Sequence, residues 1–100
     1  MVKIVYSQHA VNDLVRLTDF LIAADIKGAS ETVDLIEEAV SILDRHPLIG
    51  RIVDEEIREL VISRGATGYV ALYSVEHHKN VILILAIRHQ REAGYTFNQP

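Results

Sequence analysis

The sequence predicts an α+β domain in which an antiparallel sheet is covered on one face by an α-helical hairpin, in the order β-α-α-β-β-β. Apolar residues recur at helical spacing through the first half of the chain, and the second half changes to short β-branched and aromatic runs. Only a few residues separate the two helical stretches, which favours an antiparallel hairpin. The 100 residues contain no repeat or linker, so we expect one domain over residues 1–100.

The first elements are a short strand and a long helix. Lys3 to Tyr6 is β-prone, and the following Ser7 is a good helix cap because its hydroxyl accepts from a free N–H of the first turn. Apolar residues at helical spacing then predict a helix from about Gln8 to about Asp25. The pair Lys27-Gly28 is expected to break that helix.

A second helix is predicted from Ala29 or Ser30 to Arg45. Its apolar positions share one face, and its acidic residues lie on the opposite face. His46 and Pro47 should end the helix, because a residue that precedes proline is disfavoured in the α region.

The second half is predicted to form three strands. They are Ile57 to Ile62, Tyr69 to Glu76 and Val81 to Arg88, joined by a loop from Ser63 to Gly68 and a turn from His77 to Asn80. The third strand is apolar at every position to Ile87, as in a central strand covered on both faces. The first strand must join the same sheet, since alone it is too short to be stable. A polar tail, His89 to Pro100, follows.

Composition limits the classes of function. The absence of cysteine excludes disulfides and thiolate metal sites. A net charge of −4 argues against a surface built for phosphate backbones, so we expect no direct DNA binding. The longest apolar run, Val81 to Ile87, is far below the ~20 residues of a membrane span, and the N-terminus does not resemble a signal peptide. We therefore expect a cytoplasmic protein without membrane contact.

Four segments resemble the ParE/RelE toxin superfamily, and the likeness covers nearly the whole chain. They match a connection L-x-x-x-P-x-x-G-R, a strand start R-E-L, a strand Y-x-x-x-Y-x-V, and the strand and tail that end ParE-type members. In this sequence the segments are Leu43 to Arg51, Arg58 to Leu60, Tyr69 to Val75 and Ile84 to Tyr95.

The resemblance implies the toxin of a type II toxin–antitoxin system that needs no cofactor. ParE-like members poison DNA gyrase through protein contacts, whereas RelE-like members cut messenger RNA on the ribosome. In both branches a cognate antitoxin binds the toxin, so we expect a hetero-oligomer. The ParE-like alternative is preferred here, with gyrase as the expected target and no catalysis. A ribosome-dependent endoribonuclease and a non-toxic antitoxin-binding module remain as alternatives.

The candidate contacts with target or partner lie in the second half of the chain. They are Arg58, Arg64, Arg88, His89, Arg91 and Tyr95. In a nuclease, His89 would take the 2′-hydroxyl proton, Arg64 and Arg88 would stabilise the phosphate, and Tyr95 would protonate the leaving oxygen. Against this role, the chain has only three lysines, in three different segments, and carries net negative charge.

Structural roles compete with these assignments. Arg58 and Arg88 stand near strand ends, where arginines commonly pair with acids such as Glu56, Glu59 or Glu92. His77 and His78 are interpreted as turn residues and not as metal ligands, because adjacent residues in a strand point to opposite faces. Tyr69 and Tyr73 are expected to pack on the helical hairpin. Removing Arg88 and Arg91 together is expected to reduce toxicity while leaving folding intact.

Overall fold

A five-stranded sheet carries a helical hairpin on one face. The computed structural model describes residues 2–64 and 67–89, and of residues 63, 64 and 67 the backbone alone. The elements are β1 (Lys3–Tyr6), α1 (Gln8–Ala24), α2 (Ile26–Ser41), β2 (Arg51–Asp54), β3 (Ile57–Arg64), β4 (Thr67–Glu76) and β5 (Val81–His89), with short 3₁₀ turns at Ile42–Asp44 and His77–Lys79. The strand order is β1-β5-β4-β3-β2, in which β1 is parallel to β5 and the other pairs are antiparallel. The predicted fold class is confirmed.

Helix α1 begins where the sequence predicts. Ser7 Oγ accepts from the Ala10 N–H at 3.1 Å, and the same hydroxyl donates to the Leu85 carbonyl at 3.2 Å. One side chain therefore caps the helix and ties its start to β5.

The boundary between the two helices differs from the prediction. Asp25 adopts an extended conformation between them, and its carboxylate accepts from the Lys27 N–H at 3.2 Å, so α2 begins at Ile26 and not at Ala29 or Ser30. Gly28 thus lies inside a helix that it was expected to precede. An internal glycine costs a helix about 1 kcal/mol, which an N-terminal cap of similar value offsets. At the other end, α2 stops at Ser41 and the 3₁₀ turn replaces the last predicted turn to Arg45.

Strand β2 was not predicted from the sequence. All four of its residues are exposed, so they show none of the alternation of apolar and polar positions that marks a half-buried strand. Strand β3 runs on to Arg64 and β4 begins at Thr67, so the predicted loop from Ser63 to Gly68 is shorter than expected. Its residues 65–66 lie outside the described part of the chain.

The core lies between the sheet and the hairpin. Its members come from every layer and are Ala10, Leu17, Ile36, Val40, Leu43, Ile62, Tyr69, Ala71, Tyr73, Ile82, Ile84 and Ile87. The predicted packing of Tyr69 and Tyr73 on the hairpin is confirmed, as is the central position of β5 between β1 and β4. Neither described helix is long and apolar enough to cross a membrane.

Candidate functional site

Helix α1 takes the place of a strand beside the C-terminal half of β5. Strand β1 pairs with β5 only as far as Tyr6 and Ile84, and the chain then turns into α1. Beyond that point the Asp13 carboxylate accepts the Ile87 N–H at 2.9 Å. This bond satisfies a buried backbone donor that has no strand partner on that side. The end of β5 is therefore fixed to α1 by a side chain.

The same carboxylate forms a buried ion pair with Arg88. Arg88 Nη1 lies 2.8 Å from Asp13 Oδ1, and the two residues are only 5% and 4% exposed. His9 Nε2 lies 3.5 Å from Asp13 Oδ2 and 3.4 Å from Arg88 Nη2, and Arg16 Nη2 lies 3.8 Å from Asp13 Oδ1. We call these four residues the Asp13 cluster. Three basic side chains thus surround one buried acid.

This geometry changes the interpretation of Arg88. Arg88 pairs with Asp13, across the fold, which was not among the acids predicted for it; of those acids, Glu92 lies outside the described residues. A buried arginine paired in this way holds the fold, so the expectation that its removal leaves folding intact does not hold. Truncating one member of a buried pair leaves the other charge without its counter-ion.

Asp13 was not among the candidate residues predicted from the sequence. A signal was nevertheless present in the helix. Asp13 stands at helical spacing from Ala10 and Leu17, so it lies on the buried face of α1 among apolar residues. An acid in that position needs a basic partner, because an unpaired buried carboxylate is costly.

His89 is positioned by an aromatic contact. Its ring packs edge-on against Tyr69, directly opposite on β4, with ring centroids 5.2 Å apart and planes at 83°. Tyr69 is buried, so His89 is held at the margin of the core next to the residue that anchors β5 to α1.

The structure describes the remaining predicted residues to different extents. The backbone of Arg64 ends β3 opposite Thr67, and its side chain is not described. Arg91 and Tyr95 lie outside the described residues, so their roles stay predictions. Arg58 is described, and it lies in a different part of the sheet: on β3 it stands opposite Tyr73 of β4, whereas Arg88 on β5 stands opposite Val70 of β4.

Arg58 braces the loop that precedes β2. Its Nη1 donates to the carbonyl oxygens of Leu48 at 3.1 Å and Gly50 at 2.7 Å. The predicted pairing of Arg58 with acids is therefore replaced by bonds to backbone carbonyls. The neighbouring Glu59, 7% exposed, pairs instead with Arg51 at 2.9 Å.

Tyr73 holds the same loop from within the core. Its hydroxyl accepts the Gly50 N–H at 2.9 Å and donates to the Pro47 carbonyl at 2.8 Å. Burial raises the pKa of Tyr73 above its usual value of 10.0, and the bond from Gly50 and the Arg58 charge offset part of this rise. Burial, with a contribution from Glu37, also raises the pKa of Tyr6.

These tyrosines predict a loss of stability in alkali. A phenol whose pKa is higher in the folded than in the unfolded state stabilises the fold below the unfolded pKa of about 10, and this contribution is lost as pH rises further. We expect the melting temperature to fall between pH 10 and pH 11. In the Tyr73→Phe variant, which melts lower at pH 8 because two hydrogen bonds are gone, the further fall should be smaller. Parallel curves for the two proteins would contradict the assignment to Tyr73.

The histidine pair at the β4–β5 connection lies where the sequence predicts a turn. His77 and His78 are exposed in the 3₁₀ turn that Asn80 ends in a left-handed conformation, with φ 52°. Within residues 2–64 and 67–89, no group of three or more His, Asp or Glu side chains is arranged to hold a metal ion.

The chain is similar to toxins of known systems. A family model described as "ParE toxin of type II toxin-antitoxin system, parDE" matches residues 4–94. The protein named Toxin RelE3 from Caulobacter vibrioides is 35% identical over 83 residues, which are 83% of this chain and 88% of that protein.

Two solved structures share the fold. The chromosomal ParDE TA system from P. aeruginosa superposes with a TM-score of 0.73 at 24% identity, covering 89% of this chain and 96% of that chain. The isolated E. coli RelE toxin superposes with a TM-score of 0.68 at 12% identity, covering 97% and 92%. At these identities the superpositions establish a common architecture and nothing finer.

Proposed function

The chain belongs to the ParE toxin family of type II toxin–antitoxin systems, and we propose that it inhibits DNA gyrase through protein contacts in the cytoplasm. The observation that carries this proposal is the burial of Arg88. Cleavage of a phosphodiester needs cations that face the phosphate as its charge develops. A guanidinium that is 5% exposed and paired with Asp13 is poorly placed for that role.

Arg58, the other candidate arginine whose side chain is described, also has a structural role. Arg58 donates to two backbone carbonyls of the loop before β2, so it too serves the fold. Net charge of −4 and only three lysines give further support, because docking on ribosomal RNA favours a basic surface. A surface that acts by protein contact requires no such arrangement.

Helix α1 offers such a surface, which includes the two more exposed members of the Asp13 cluster. The side chains of His9 and Arg16 are 43% and 46% exposed, and Phe20 is 75% exposed. Their spacing along the helix places all three on one side of α1. Arginine and aromatic residues dominate the energetics of protein interfaces. We include these residues in the proposed target surface, together with the predicted contacts His89, Arg91 and Tyr95.

A cognate antitoxin is the proposed standing partner. Solved structures of similar fold include the chromosomal ParDE TA system from P. aeruginosa and the intact RelBE toxin–antitoxin complex of E. coli. We propose that the antitoxin lays its C-terminal segment across the surface where the helical hairpin meets the sheet. The two proteins would then form a hetero-oligomer.

Phe20→Ala is expected to weaken the inhibition of gyrase supercoiling by about tenfold or more, since an exposed aromatic anchor contributes ~2 kcal/mol to an interface. The side chain is exposed, so the melting temperature should not change. Ile26→Ala, at a residue 72% exposed on α2, is the matched control and should inhibit like the parent protein. Equal inhibition by all three proteins would remove Phe20 from the target surface.

A second assay separates the alternative activities. Messages on translating ribosomes would be mapped for cleavage by the same proteins. Specific cuts that are lost in His89→Ala or Tyr95→Phe would establish the endoribonuclease and overturn the gyrase proposal. Absence of both cleavage and gyrase inhibition would point to a module that only binds its antitoxin.

A further inference from the structure

Strand β2 forms one border of the sheet and is exposed along its whole length. Among the described residues, β3 is its sole strand neighbour. Ile52 is 62% exposed and Val53 38% exposed, so the border presents apolar side chains beside unpaired backbone groups. An edge of this kind is a template for pairing with another strand.

A β-bulge gives this edge an unusual arrangement of charge. Arg51 lies opposite Glu59 and Asp54 lies opposite Ile57, with a register shift between Ile52 and Asp54. Glu59 and Ile57 are two residues apart on β3 and so share a face. Arg51 and Asp54 therefore also share a face, although residues three apart in a regular strand would not. The bulge places one cation and one anion on the same side of the border.

We propose that β2 pairs antiparallel with β2 of a second copy of the chain, which joins the two sheets. A two-fold rotation reverses the strand, so Arg51 of each copy lies beside Asp54 of the other. Ile52 and Val53 then meet the same two residues of the second strand. The pairing forms two ion pairs on one face and covers the exposed apolar residues at the centre. The sequence of the edge is complementary to itself.

The charged side chains around β2 agree with a second copy of the chain as its partner. Arg51 donates to Glu59 through Nε, while its side chain remains 75% exposed, and a guanidinium has further donors for a second carboxylate. Glu55 and Glu56 extend the acidic end of β2, towards the position of the other copy's Arg51. A four-residue strand is short, so we expect a weak dimer with an interface at or below the ~1,200 Å² of transient complexes.

The preceding loop adds preformed apolar surface. Leu48 and Ile49 are 54% and 58% exposed, although the loop that carries them is held by hydrogen bonds from Arg58 and Tyr73. Surface that is already ordered loses little conformational entropy on binding. The loop therefore favours association next to the strand.

The test is sedimentation equilibrium of the full chain, free of any antitoxin, over a range of concentrations. We expect a monomer–dimer equilibrium in the parent protein. Asp54→Lys places a lysine beside Arg51 of the other copy, and it should weaken the dimer about tenfold or more. The matched control is Asp44→Lys, which makes the same change of charge at an exposed acid outside the sheet and should leave the dimer unchanged.

Two further measurements test the pairing of β2 with its copy. The double variant R51E/D54K exchanges the two charges and should recover dimerisation if it melts like the parent. Because the carboxylate introduced at position 51 would then neighbour the buried Glu59, amide chemical shifts of the parent protein against concentration provide a measurement that needs no variant. Shifts confined to the β2 edge and its loop support the proposal. A protein that stays monomeric, a dimer indifferent to Asp54→Lys, or shifts located elsewhere would each overturn it.

Discussion

Asp13→Ala should lower the free energy of unfolding by about 3–5 kcal/mol, a large part of the total for a domain of this size. The carboxylate accepts the Ile87 N–H at 2.9 Å and pairs with Arg88 at 2.8 Å, in a site where both residues are buried. Its loss leaves a buried donor and a buried guanidinium without that acceptor. The measurement is urea unfolding at neutral pH, followed by circular dichroism.

The matched control for this prediction lies on the same helix. Asp19 is exposed, so Asp19→Ala should change stability by no more than about 0.5 kcal/mol. A double variant in which Asp13→Leu is combined with Arg88→Met removes both charges, and it should recover the part of the lost stability that the unpaired guanidinium costs, whereas the Ile87 N–H still lacks its acceptor. A loss below about 1 kcal/mol for Asp13→Ala would show that the pair contributes little to the fold.

Gly50→Ala is the second change with a large expected effect, about 3 kcal/mol of destabilisation. A Cβ at this position would lie 2.7 Å from Tyr73 Oη and 2.8 Å from the Glu59 carbonyl oxygen, both inside van der Waals contact. The loop must therefore move away from the sheet, which costs packing energy and the bonds between Tyr73 and the loop. Thermal and urea unfolding measure the loss.

Gly28→Ala provides the comparison. The added methyl group would approach the Asp25 carboxylate oxygen at 2.7 Å, but that oxygen ends a flexible side chain that can rotate. The gain in helix propensity and the weakened cap should nearly cancel, leaving stability within about 1 kcal/mol of the parent. If the two glycine variants lost equal stability, the close packing of Gly50 on Tyr73 would not be the cause of its effect.

Both large effects concern residues that connect distant segments. The Asp13 cluster joins α1 to the end of β5, from which the predicted contacts Arg91 and Tyr95 continue along the sequence. Tyr73 and Arg58 fix the loop that leads into β2. The proposed target surface and the proposed self-pairing edge therefore depend on different supports. A variant that weakens one support without the other would show whether the two surfaces act independently.

Local patterns were sufficient for the class of fold and for most elements. Ser7 marks the start of α1 because capping is a contact within four residues, and the apolar run from Val81 to Ile87 marks a central strand because both faces need apolar side chains. The start of α2 was misplaced, since the cap at Asp25 outweighed the glycine that follows it. Strand β2 was missed because an exposed edge leaves no hydrophobic period.

The amino-acid pattern was enough to predict the α+β architecture, the family resemblance and the part of the chain that holds the candidate arginines. The roles of those arginines became visible only in the folded chain. Arg88 is buried because folding brings it next to Asp13, which is 75 residues away in the sequence. Arg58 serves the fold because it donates to a carbonyl of the loop that lies ten residues before it. Helical and strand periods depend on neighbours in the chain, whereas the partner of a buried charge depends on which segments meet in space. A local sequence pattern therefore cannot predict that partner.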